Sequence, residues 1–138
     1  NNEGNLVSSD AGIVSRKTIS YRFDDFVNFG FKKLIKKCSN AERESIRLWA
    51  NSLNKMDARN FFYYCVSTVK WTDSNKLLPM LNFYFKKKIY IYGDYSKNLN
   101  LIKKLFSHKK ICISNIGHFA YLEKREKLRN IIYKELNS

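Results

Sequence analysis

The sequence predicts a mixed α/β chain in which a block of helices precedes two parallel strands and their helices. Three observations carry this expectation. Apolar residues recur at three- and four-residue steps through most of positions 1–85, the spacing of amphipathic helices. Two short β-branched and aromatic runs follow, IYIY at 89–92 and ICIS at 111–114. Amphipathic segments lie between and after those runs, the order expected of parallel strands buried on both faces. With 44% hydrophobic and 15% aromatic residues in 138, one ordinary domain has enough apolar matter for a core.

Each element has its own local reason. The stretch IVSRKTISY, after a polar and turn-prone start, can begin a helix. Phe23, Phe26, Val27, Phe31, Leu34 and Ile35 paint one helical face, which Gly30 weakens slightly. Ser39 and Glu42 form an S-x-x-E capping box, predicting a helix from Ala41 to about Leu53. Asp57 predicts an N-cap for ARNFFYYCVSTVKW. Asp73 or Ser74 then starts KLLPMLNFYF, where Pro79 is expected to limit or kink the helix. Ile89 to Tyr92 predict a strand ending at Gly93; Leu99, Ile102, Leu105 and Phe106 predict a helix. Ile111 to Ser114 predict the second strand, and Leu128, Ile131, Ile132 and Leu136 a closing helix from about Leu122. A bare strand pair exposing Ile89, Ile91 and Ile111 is expected to self-associate.

Charge and cysteines bound the function. The net charge of +14 would suit a phosphate-rich partner. The basic residues are nevertheless spread through the chain, as at Lys32 to Lys37, Lys86 to Lys88, Lys103 to Lys110 and Lys124 to Arg129, and the chain is rich in Lys, Asn, Ile, Tyr and Phe. That background weighs against nucleic acid as the partner, although a small basic binding module stays open as an alternative. Cys38, Cys65 and Cys112 are widely spaced with no CxxC, indicating neither a disulfide framework nor a zinc site and pointing to a reduced, cytoplasmic protein without a metal. No apolar run approaches a membrane span, and no cofactor fingerprint is present.

The chemistry-bearing residues gather where the predicted strands end. The first runs into Gly93 and Asp94, as KIYIYGDYSKN, and the second into Gly117 and His118, as ICISNIGHFAYLEKREKL. His118 therefore leaves a strand on a loop, with Gly117 allowing a tight turn. His108, in a Lys-rich helix end, reads as a solvated residue near the helix C-terminus.

Residues 86–138 resemble the C-terminal end of the α/β-hydrolase fold. The carriers are the strand ending in Gly and an acid, the strand ending in Gly-His, and the GHxxxxE pattern with a helix behind it. The resemblance implies that 86–138 is the strand-helix-strand-helix end of a hydrolase core. It also implies that 1–85 is a helical cap preceded by the end of a core strand. His118 would be the general base of a nucleophile-His-acid triad acting on an ester-type substrate.

The acid has two candidates. The family places an Asp three positions after the strand-ending Gly, where Ser96 stands here; Asp94 directly follows Gly93. In another arrangement, found among some haloalkane dehalogenases, the acid follows the strand before the cap. NNEGNL resembles such a strand end and offers Glu3, which ranks slightly ahead of Asp94. The nucleophile is missing: no GxSxG occurs, and Ser8, Ser9, Ser15, Ser114 and Cys112 lack the strand-turn-helix setting. The resemblance thus implies a C-terminal portion that works with an N-terminal half, on the same or a separate chain, or else an inactive remnant. The aromatics Phe61, Phe62, Tyr63, Tyr64 and Trp71 read first as core and second as the lining of an acyl pocket.

Overall fold

The computed structural model describes residues 6–10, 12–97 and 100–137. Helices fill the first stretch: α1 (Ile13–Ile19), α2 (Phe23–Asp25), a π-helical turn (Phe26–Gly30), α3 (Phe31–Ser39), α4 (Glu44–Leu53), α5 (Ala58–Asp73) and α6 (Leu77–Tyr84). The second stretch holds β1 (Ile89–Gly93), α7 (Asn100–Lys104), β2 (Lys109–Ile113), α8 (Ala120–Glu123) and α9 (Arg125–Leu136). The chain is mixed α/β, mostly helical, with a two-stranded parallel sheet among the described residues. No helix of the described residues is long and apolar enough to cross a membrane.

The helical block closes around rings. Phe26, Phe31, Leu53, Phe61 and Cys65 are buried together, with Leu34, Ile35, Trp49 and Phe62 packed against them. The helix widens at Phe26–Gly30 where two bulky groups meet a glycine. A Cβ on Gly30 would lie 2.8 Å from the Phe26 ring, so only glycine lets that ring fold back against its own helix. Arg16 of α1 and Asp73 of α5 pair at 2.5 Å on the outside.

Local signals fared unevenly. Asp57 caps α5 as expected, its carboxylate accepting from the backbone N–H of Arg59 at 2.9 Å and Asn60 at 3.0 Å. The Ser39–Glu42 capping box does not form. α3 runs on through Ser39 because Cys38 is buried in the core, and α4 starts only at Glu44. Pro79 is the third residue of α6, among the first-turn positions whose N–H has no partner within the helix, so it neither stops nor kinks it. The expected closing helix is divided at Lys124 into α8 and α9.

The strands pair in parallel, Ile89 opposite Lys109 and Gly93 opposite Ile113. Alternation sends their side chains to two faces. On one, Ile91 and Ile113 pack with Ile116, Ala120 and Leu128, joined by Ile89, Ile111 and Ile131. On the other, Tyr90 packs with Leu6, Leu101 and Leu105, joined by Leu77, Leu78 and Leu81. Helices therefore cover both faces. The exposed strand isoleucines expected from the sequence are absent: Ile91 is buried and Ile89 and Ile111 are half-buried beneath α9. Glu135, buried on α9, pairs with Lys109 at the start of β2 at 2.6 Å and fixes that helix in place.

His108 differs from its sequence reading. It lies on the turn before β2 with its ring buried, and neither ring nitrogen has a hydrogen-bond partner. The turn at Phe106–Ser107 carries the imidazole inward, where Lys-rich neighbours in sequence do not determine its surroundings.

Candidate active site

Because β1 and β2 are parallel and in register, their C-terminal ends open on one edge, the place where ligands bind in open α/β sheets. Asp94 leaves β1 there, and the segment carrying His118 leaves β2. The two segments are laced together. The Asp94 carboxylate accepts from the N–H of Asn115 at 2.9 Å and of Ile116 at 3.2 Å. The Tyr95 N–H donates back to the Ile116 carbonyl at 3.3 Å. The Asn115 amide, with the Ile116 amide assisting, holds the Asp94 carboxyl below its ordinary range against a smaller opposing effect of burial.

Backbone fit is equally close. A Cβ on Gly93 would fall directly on the carbonyl oxygens of Ile116 and Gly117, so the strand must end in glycine for the second loop to lie across it. The left-handed residue of that loop is Asn115, with φ 58°, a conformation asparagine tolerates better than most residues. The tight turn expected at Gly117 is thus made two residues earlier. Gly117 instead keeps the space between Arg43 and Glu123: its Cβ would sit 3.3 Å from the Arg43 guanidinium and 3.5 Å from Glu123 Oε1.

Glu123 is the acid of the GHxxxxE pattern, and the structure gives it a task. From α8 its carboxylate accepts from the Gly117 N–H, Oε1 at 3.2 Å and Oε2 at 3.3 Å. His118 is therefore preceded by three backbone amides, those of Asn115, Ile116 and Gly117, each held by a carboxylate. Its own side chain is exposed, with its ring edge-on to Phe119 at 5.2 Å.

The helical block meets this loop directly. Phe119 stacks on Trp49 of α4, centroids 5.5 Å apart, and Arg43, at the entrance to α4, lies 4.9 Å over the Tyr95 ring. Sequence spacing gave no hint of Arg43 or Trp49, since both reach the loop across more than forty residues. Tyr121 is near Tyr64 of α5; burial, then Tyr64, pushes its phenol above the ordinary range. Tyr64 and Trp71 line a shallow hollow of about 500 Å³ with Leu77 and Met80. The aromatic run on α5 is thus divided, Phe61 buried and Phe62 half-buried in the core, Tyr64 and Trp71 at the hollow.

The remaining sequence candidates fall as follows. Glu3 and most of the NNEGNL strand end lie outside the described residues. Ser8 accepts from Arg16 at 2.8 Å, Ser15 bonds to the buried Cys65, and Cys112 is an exposed free thiol on β2 beside Tyr92. The fold and this edge define a mixed α/β protein with a histidine-bearing loop clamped at the carboxyl ends of a parallel strand pair. No model of a known family, no curated protein and no solved structure matches the chain.

Proposed function

We propose that the chain is the histidine-bearing end of an α/β-hydrolase-type enzyme, with His118 as general base. The nucleophile would come from polypeptide outside these 138 residues. The observation that supports this reading best is the placement of Asp94 and the His118 loop on one edge of a parallel pair, clamped to each other by the Asn115 and Ile116 amides. A general base must approach its proton within hydrogen-bond reach and hold that geometry. An exposed imidazole on a loop whose preceding amides are fixed by Asp94 and Glu123 suits that task.

In the reaction His118 takes the proton of an attacking hydroxyl, passes it to the leaving group, and then activates the water that releases the acyl group. Asp94 already spends both carboxylate oxygens on the loop, so its role in this reading is to position that loop. Glu3 stays the candidate for orienting the imidazole. The hollow at Tyr64, Trp71, Leu77 and Met80 would take the apolar part of an ester-type substrate.

The test is to co-produce the chain with the polypeptide encoded immediately upstream and assay a chromogenic short-chain ester. His118→Ala is expected to lower turnover by about 10³-fold or more with unchanged thermal unfolding, since the side chain is exposed. Turnover that survives the substitution removes the proposal.

A further inference from the structure

Away from the His118 loop, and sharing no lining residue with it, a cavity of about 340 Å³ opens in the helical block between α1 and α3. That volume is within the range of small-molecule sites, about 300 to 1,000 Å³. Its walls are apolar: Val14 of α1, Tyr21, Phe26 and Leu34, with Cys38 also against it. The π-helical turn Phe26–Gly30 contributes part of the wall through Phe26 and Gly30, and such turns occur disproportionately at functional sites. Ile13, on the same lining, is 85% exposed, an apolar side chain left in water beside an apolar hollow.

The charged residues of the lining have one sign. Lys17 comes from α1 and Lys33 and Lys37 from α3, all exposed, and no lining residue is a carboxylate. None of the three lysines has an ion-pair partner among the described residues. Lys33 and Lys37 stand four apart on one helix, where like charges repel and cost helix stability. An anion placed between α1 and α3 would relieve that repulsion, and the cavity beside it is dry enough in character to hold hydrocarbon.

We infer that this cavity binds a single-tailed anionic amphiphile, of the class of a medium-chain fatty carboxylate. Its tail lies against Phe26, Leu34 and Cys38, and its carboxylate lies among Lys17, Lys33 and Lys37. The inference does not depend on hydrolysis at His118, and its test reads binding with no turnover.

The experiment is calorimetric titration of the chain with monomeric laurate, with methyl laurate as the uncharged comparison and phosphatidylglycerol vesicles as the membrane comparison. Laurate is expected to bind with micromolar affinity and to raise the unfolding temperature. Methyl laurate should bind at least tenfold more weakly. The surface variant Lys33→Glu/Lys37→Glu, checked for unchanged helicity, should weaken laurate at least tenfold while leaving methyl laurate unchanged. Equal affinity for acid and ester, indifference to the double substitution, or binding to vesicles without binding to the monomer would each overturn the inference.

Discussion

The helical block and the strand pair draw on the same aromatic and aliphatic residues but seal their cores by different means. In the block, Phe26 meets Tyr21, Phe31, Phe61 and Phe62 at centroid distances from 5.6 to 6.1 Å. In the strand pair the core is mostly aliphatic, with Tyr90 a buried ring on one face, and carboxylates bind its margins. Asp94 grips one loop, Glu123 grips the next amide, and Glu135 anchors α9 to Lys109. Helices pair most of their own backbone groups, so carboxylates serve the block only at its ends and outside, where Asp57 caps α5 and Asp73 pairs with Arg16, while rings fill much of its core. Loops that leave strand ends carry free amides, and those need acceptors supplied from elsewhere. Carboxylates thus fix the loops at the site, while rings fill much of the helical core.

The largest expected effect breaks the comparison at the rings. Phe26→Ala removes a fully buried ring and should cost about 3 to 5 kcal/mol. Amide exchange should then accelerate through α1 to α5 well before it does in β1 and β2. Equal acceleration in both regions would show that they share one core after all. A smaller effect is expected at the other end. Gly93→Ala drives a methyl onto the Ile116 and Gly117 carbonyls and should cost about 1 to 3 kcal/mol as overpacking. Its signature is a displaced 115–118 loop, felt in α4 through Trp49 and Phe119 but with α1 to α3 unchanged, read by chemical shifts of those amides. Shifts that spread beyond α4 into α1 to α3 would deny the independence of the two regions.

The same division explains what the sequence could convey. The strand pair was legible because β-branched runs ending in Gly93 and followed by amphipathic segments are local patterns with few other outcomes. The Asp57 cap was legible because its acceptor and donors lie within three residues of one another. The Ser39–Glu42 box had the same local form and failed, since burying Cys38 favours continuing α3 through Ser39. At the site, His118 and Asp94 could be placed on strand ends from spacing alone. The contacts of Trp49 with Phe119 and of Arg43 with Tyr95 could not. They depend on how the helical block lies over the strand ends, which no local pattern encodes. His108 shows the same limit from the opposite side, a basic neighbourhood in sequence and a buried one in space.

His108 also supplies the smallest expected effect and sharpens the comparison within the strand region. Its ring is buried with both nitrogens unpartnered. Burial first, then the charges of Lys88 and Lys110, lower its pKa from the usual histidine value. Lys88 is itself fixed there, donating to the Asn82 carbonyl and to Ser107 Oγ. The unfolded chain titrates this histidine near about 6.5, and the folded chain only at lower pH. Between those two values the unfolded state holds the proton and the folded state does not. Stability from this group is therefore complete above the unfolded value and falls as pH drops below it. His108→Leu removes both the unpartnered nitrogens and the titration, and should stabilise the fold by about 1 kcal/mol at neutral pH. Its advantage over the native chain should widen as the solution is acidified from pH 7 toward 5 in denaturant titrations. A constant difference across that range would mean that the imidazole finds a partner, or water, in the folded protein, and that the strand region is as fully satisfied as the ring-sealed block.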